Sequence, residues 1–195
     1  RGRRGNVWAN VSGNLAASLV KTINVPPALA ATLGFVAGLA LTDAVARIAP
    51  YFDGAGADGG HRLRLKWPND VLADGAKLAG ILLESEQRPG GQRIAVIGIG
   101  VNVAGVPDGL PYAATALGSL GAPITAEDLF TALADCWVEV EALWDEGRGL
   151  AEIRNRWLRR AAGLGAPVSV HIGREIIQGT FETIDDSGQL VLRKT

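Results

Sequence analysis

The spacing of apolar residues changes several times along this chain, and each change predicts a different element. Residues 28–41 are almost continuously apolar, interrupted by Thr32 and followed by Asp43. That run falls short of the ~20 residues a bilayer span needs. Pro26-Pro27 opens it with a backbone suited to a first helical turn, so it predicts a core helix. Leu63 to Trp67 predicts a strand ended by Pro68, which cannot donate to a sheet ladder. Asp74-Gly75 then lies between two apolar runs and predicts a tight hairpin turn. Leu78 to Leu83 is apolar on both faces, the mark of a buried strand. Residues 88–91 separate it from a further strand over Ile94 to Val103. Strands joined so closely predict an antiparallel or mixed sheet rather than repeated strand-helix-strand units.

Helical spacing returns at Leu129, Leu133, Trp137, Val140 and Trp144, behind a capped start at Thr125-Ala126-Glu127-Asp128. Another helix is predicted over Leu150 to Ala162, with Trp137, Trp144 and Trp157 as core anchors. Beyond Gly163-Leu164-Gly165 the pattern alternates through Val168 to Ile172, Ile176 to Ile184 and Gln189 to Leu192. Turns at Gly173-Arg174 and Asp186-Ser187-Gly188 then predict a small barrel-like unit. The predicted class is α+β: a mixed or antiparallel sheet packed with helices over residues 1–163, then a small β domain over 164–195.

A chain of 195 residues with 48% hydrophobic content can build one main core and a smaller one. No secretory or membrane signal is evident. The single cysteine, Cys136, excludes an internal disulfide, predicts a reducing cytoplasm, and falls at a helix core position. A formal net charge of -1 offers no general field for nucleic acid. His61 and His171 lack partners at metal-ligand spacing, and neither is assigned to catalysis.

Three segments concentrate candidate chemistry. Lys77 follows the hairpin turn. A strand lysine commonly serves a solvated edge, but the apolar run behind this one sets it at the mouth of a core, where an anionic ligand would match it. Gly80 removes a side chain where a ligand could approach the backbone. The first residues, Arg1-Gly2-Arg3-Arg4-Gly5, combine guanidinium forks with flexible backbone suited to gripping a carboxylate or phosphate, and Trp8 follows. Gly98-Ile99-Gly100 lacks the third glycine and the following helix of a dinucleotide fingerprint. It suits a buried strand that something passes closely, with Asn102 offering a donor and an acceptor at its end.

Taken together, the arginine-glycine start with Trp8, the segment Lys66 to Glu84, and Val96-Ile97-Gly98-Ile99-Gly100-Val101-Asn102-Val103 resemble the catalytic part of biotin protein ligases, in order and approximate spacing. The resemblance implies a biotin/lipoate ligase-like α+β fold followed by a small SH3-like β-barrel. It implies an ATP-dependent enzyme that makes biotinyl-5'-AMP and transfers biotin to a lysine on the biotin carrier domain of a carboxylase. Lys77 and Arg3 would be catalytic. Arg1, Gly2, Arg3, Lys77, Gly80 and Gly98 would contact biotin; Arg3, Arg4, Trp8, Asn69, Lys77 and Asn102 would contact ATP. Mg2+ would accompany the triphosphate, with Asp70 as an outer-shell partner.

The alternatives are a lipoate ligase-like acyl-adenylating enzyme, although the glycine-rich histidine-containing segment of such enzymes is missing, or a non-catalytic biotin- or nucleotide-binding fragment. A DNA-binding repressor of the same family would need a helix-turn-helix that this sequence does not show. An exposed sheet edge would admit a carrier or a second copy, giving a homodimer. The start within the glycine-arginine loop and the absence of any methionine predict a piece of a longer polypeptide.

Overall fold

The computed structural model describes residues 11–52, 54, 62–89, 92–173 and 175–194. Its larger sheet has five strands: β1 (Leu15–Ile23), β2 (Leu63–Lys66), β3 (Asp70–Ala73), β4 (Ala76–Gln87) and β5 (Arg93–Val101). Their order is β1-β5-β4-β3-β2, and every pair is antiparallel. Strand β1 is absent from the sequence reading. Its Leu-Ala-Ala-Ser-Leu-Val-Lys-Thr-Ile alternates, but small and polar residues dilute the apolar signal.

The register gives the sheet two distinct faces, because residues paired across antiparallel strands share a side. Ala17, Ile99 and Ile81 form one row, with Leu19, Ile97 and Leu83 beside it. This side packs under helices α1 (Pro27–Ala31), α2 (Leu33–Ile48), α3 (Ala126–Trp144) and α4 (Leu150–Arg159). Lys21 on β1 reaches Glu141 of α3 at 2.9 Å across the same face. On the other side lie Ala16, Gly100, Gly80 and Asp70 in one row, and Ser18, Gly98 and Leu82 in the next.

The helical layer is longer than the apolar run suggests. Pro27–Ile48 spans 22 residues at mean hydropathy 1.8, apolar enough by composition to cross a bilayer, yet 72% of that window is buried inside the molecule. The break between α1 and α2 falls at Thr32, whose hydroxyl donates to Leu29 O and accepts the indole N–H of Trp144 at 2.8 Å. Helix α3 begins at a capping box in which Thr125 and Asp128 satisfy each other's backbone N–H groups. Trp144 and Trp157 are buried core residues, while Trp137 is only partly covered. Helix α4 ends at Arg159 rather than Ala162. Arg160 then turns back to Thr42 and Asp43 of α2.

The C-terminal strands β6 (Pro167–Ile172), β7 (Glu175–Ile184) and β8 (Leu190–Arg193) form a three-stranded antiparallel meander in the order β6-β7-β8. The expected barrel is not seen among the described residues, since closing a sheet on itself takes more strands than three. The meander packs on the first layer. Phe181 and Ile184 join the main core, Trp67 donates its indole N–H to Gly188 O at 3.3 Å, and Arg154 of α4 pairs with Asp186.

Candidate functional site

The hairpin that carries Lys77 has the predicted turn. Asp74 and Gly75 take φ values of 46° and 83°, the left-handed pair of a two-residue hairpin, where glycine avoids the Cβ clash and aspartate tolerates it. Arg62 clamps the turn by donating to the Asp74 carboxylate at 2.7 Å and accepting the Asp74 N–H on its carbonyl. That hydrogen bond raises the guanidinium pKa further and keeps it charged.

One irregularity decides where Lys77 points. The β3–β4 register slips between Val71 and Leu72, so Val71 faces Ala79 whereas Leu72 faces Lys77. Strict alternation from Ile81 would send Lys77 to the helix-covered side with Ala79. The extra residue buries Leu78 and Ala79 together and returns Lys77 to the side of Asp70 and Gly80. Lys77 Nζ there lies 2.7 Å from Asp70 Oδ1, with the two side chains 22% and 23% exposed. It also stands 5.3 Å from the centre of the Tyr112 ring. Its backbone is fixed from a second direction: Lys77 N–H donates to Ala113 O and Thr115 N–H donates to Lys77 O, both at 2.9 Å.

Around this pair is a cavity of about 250 Å³ lined by Lys66, Asp70, Leu72, Gly75, Lys77, Tyr112 and Ala113. Among the described residues, two ammonium groups line it against one carboxylate, which makes it a place for an anion. Partly exposed ion pairs contribute only about 0–1 kcal/mol to stability. The Asp70–Lys77 pair therefore holds the ammonium in place without committing it to the fold, and the ammonium can turn to a ligand.

The predicted asparagines are anchored to backbone. Asn69 accepts the Ile81 N–H on its carbonyl at 2.8 Å and donates its side-chain amide to Ile81 O. Asn102 is 7% exposed and donates Nδ2 to Thr115 O at 3.1 Å. Both are structural ties here, standing beside Asp70 and at the end of β5. Gly80 pairs with Asp70 across the ladder, while Gly98 sits one row further along the same face. A Cβ at Gly98 would come no closer than 3.7 Å to Leu82 O. Neighbouring backbone therefore does not require glycine there, and the missing side chain simply leaves space. Arg1, Gly2, Arg3, Arg4 and Trp8 lie outside the described residues.

One residue that sequence reasoning missed stands out. Asn14 Oδ1 accepts three successive backbone N–H groups, from Val103, Ala104 and Gly105, at 3.0, 2.9 and 3.2 Å. The signal available was Gly13-Asn14, a turn dipeptide just before an apolar alternation. Among the described residues no three His, Cys, Asp or Glu side chains gather as a metal site. His171 is exposed, His61 lies outside the described residues, and burial pushes the Cys136 thiol up, away from a reactive thiolate.

This geometry can be set beside known proteins. A sequence model of the biotin/lipoate A/B protein ligase family matches residues 1–102. A biotin--[acetyl-CoA-carboxylase] ligase from Paracoccus denitrificans is 42% identical over 199 residues, covering 99% of this chain and 79% of that protein. Its counterpart from Mycobacterium tuberculosis is 35% identical over 98% of this chain and 68% of its own length. The crystallised biotin protein ligase from Aquifex aeolicus in complex with biotin and ATP has a TM-score of 0.78 and 22% identity, over 98% of this chain and 76% of that one, a likeness of fold. The match over the first half of the sequence and the identity over nearly all of it place this chain in the biotin/lipoate A/B protein ligase family.

Proposed function

We propose that this chain is an ATP-dependent biotin–protein ligase that activates biotin as biotinyl-5'-AMP and transfers it to a lysine of a biotin carrier domain. The observation that carries the reading is the bulge that brings Lys77 to Asp70 on the small-residue face of the sheet, in a chain 42% identical to a biotin--[acetyl-CoA-carboxylase] ligase.

In the first step a biotin carboxylate oxygen attacks the α-phosphorus of ATP and pyrophosphate leaves. In the second the carrier's lysine amine attacks the activated carbonyl and AMP leaves. Both steps build negative charge on oxygen, and a fixed cation lowers their barriers more than any covalent participation. Lys77 serves that role at the biotin carboxylate and α-phosphate, oriented by Asp70, with Lys66 adding a second positive charge at the same cavity. Gly80, Gly98 and Gly100 leave a path along the sheet for the biotin rings.

Arg1, Gly2 and Arg3 close over the adenylate and shield it from water, while Arg4, Asn69 and Asn102 contact phosphate or adenine and Trp8 stacks on the base; the family pattern supports these roles. Mg2+ fits as the companion of ATP. It binds through phosphates and few carboxylates, and among the described residues Asp70 is the carboxylate lining the cavity. When bound, the ion neutralises phosphate charge.

We further take residues 1–163 as the catalytic unit and β6–β8 as part of a small SH3-like barrel, which their alternation and tight turns support. The carrier domain, or a second copy in a homodimer, would pair along a sheet edge. Strand β1 is one such edge.

The test is biotin- and ATP-dependent pyrophosphate release, then label transfer to a carrier domain, with lipoate in parallel. Lys77→Ala is expected to lose ~2–4 kcal/mol of transition-state stabilisation, on the order of a hundredfold or more in rate. Release driven by lipoate instead of biotin would move the chain to the other branch of its family, and no release with either acid would end the ligase reading.

A further inference from the structure

Asn14 lies outside the cavity, yet its side-chain amide sits at the head of a hydrogen-bonded chain that ends on Lys77. Its oxygen gathers the N–H groups of Val103, Ala104 and Gly105, the concave arrangement of backbone donors that elsewhere receives anions. Its nitrogen donates to Gly105 O at 2.8 Å and lies 3.5 Å from Asn102 Oδ1. Asn102 Nδ2 continues to Thr115 O, and Thr115 N–H closes on Lys77 O.

The fit around Asn14 is tight. Gly13 has φ +85°, and a Cβ there would stand 2.8 Å from the Ala104 Cβ, so the Gly13-Asn14 pair is shaped to this loop. The loop 103–105 follows the asparagine assigned above to ATP, and Asn14 immediately precedes β1.

We propose that Asn14 is a positioning residue for the adenylation step. Its amide holds the 103–105 loop and, through Asn102 and Thr115, keeps the nucleotide-facing end of β5 in register with Lys77. The proposal rests on the ligase reading. It differs from a simple turn-stabilising role because the amide that ties the 103–105 loop, through Oδ1 and through Nδ2 to Gly105 O, also stands 3.5 Å from Asn102 Oδ1. Asn14→Ala removes both the acceptor and the donor. Asn14→Asp keeps the acceptor for the three N–H groups and replaces the donor to Gly105 O and Asn102 Oδ1 with an oxygen.

The experiment measures steady-state pyrophosphate release, varying ATP and biotin separately, with the melting temperature of each variant. Asn14→Ala is expected to raise the KM for ATP at least tenfold while the KM for biotin stays within twofold. Asn14→Asp is expected to melt below the parent, because its second oxygen faces Gly105 O and Asn102 Oδ1, and to raise the KM for ATP of the folded enzyme. Combining Asn14→Ala with Asn102→Ala should add little to the larger single effect, since the two act in one chain.

A folded Asn14→Asp with parental KM for both substrates would overturn the proposal, as would fully additive effects of the two alanine variants or equal rises in both KM values. Should Asn14→Ala fail to fold, the Asp variant decides alone. Parental release that does not depend on biotin would instead overturn the ligase reading and the proposal with it.

Discussion

On the helix-covered face of β5, Ile97, Ile99 and Val101 are at most 5% exposed; on the opposite face of the same strand stand Gly98 and Gly100, level with Ser18 and Ala16 of β1. One face is filled to the density of a core. The other is kept small where it runs toward Lys77, although Val20, further along β1, is 65% exposed. A single alternating sequence thus writes two specifications, and substitutions on the two faces should fail in different ways. Those on the covered face should cost folding free energy and leave the folded enzyme competent. Those on the small-residue face should leave folding nearly alone and cost substrate binding.

Ile97→Ala is the largest probe of that contrast. Truncating a fully buried isoleucine typically costs 2–5 kcal/mol, so about 3 kcal/mol of unfolding free energy should be lost in a denaturant titration. The KM for biotin of the remaining folded enzyme should be unchanged, and a large change in it would erase the distinction between the faces. Gly98→Val probes the other side. The new Cβ meets only ordinary contacts, so unfolding midpoints should move little, while the branched side chain fills the space proposed for biotin. A tenfold rise in the KM for biotin, equivalent to about 1.4 kcal/mol, is the expected size. A valine that destabilises the fold and spares binding would place the ligand elsewhere.

The smallest effect concerns the Asp185 turn of the C-terminal meander. The Asp185 carboxylate accepts backbone N–H groups from Gln189 and Ser187 at 2.9 and 2.8 Å, which hold it below the usual carboxylate range. A folded-state pKa below the unfolded one adds stability that is complete above the unfolded value, about 3.9, and fades as pH falls through the folded value. The melting temperature of the parent should therefore drop more steeply with acidification below about pH 4 than that of Asp185→Asn. Parallel curves would mean that the turn contributes nothing to acid sensitivity.

What the sequence disclosed followed physical rules of different reach. The helix of Leu129 to Trp144, its capping box, the Asp74-Gly75 turn and the alternation of β6–β8 are set by residues within one turn or one strand of each other, and all were legible. Strand β1 was not, because its alternation uses alanine, serine and threonine and only pairing with β5 makes it a strand. The position of Lys77 after a hairpin was legible. The bulge that aims it was not, since the slip lies in the pairing with β3 and leaves no compositional mark. Asn69 and Asn102 were noticed for their chemistry, yet their amide bonds run to backbone 12 and 13 residues away in sequence. Asn14 reaches loop residues up to 91 positions away, a distance no local pattern records.

The Asp70–Lys77 contact also works as a threshold for occupancy. An anion entering the cavity must outcompete a carboxylate already 2.7 Å from the ammonium. A hydrated monovalent ion gains little by that exchange, because its own solvation is lost against a partner no more highly charged than the one it displaces. A polyphosphate, bringing several charges to two lysines at once, gains more. For a partly exposed pair worth about 0–1 kcal/mol that bias is small, and it favours a carboxylate that arrives together with a phosphate over a lone monovalent ion.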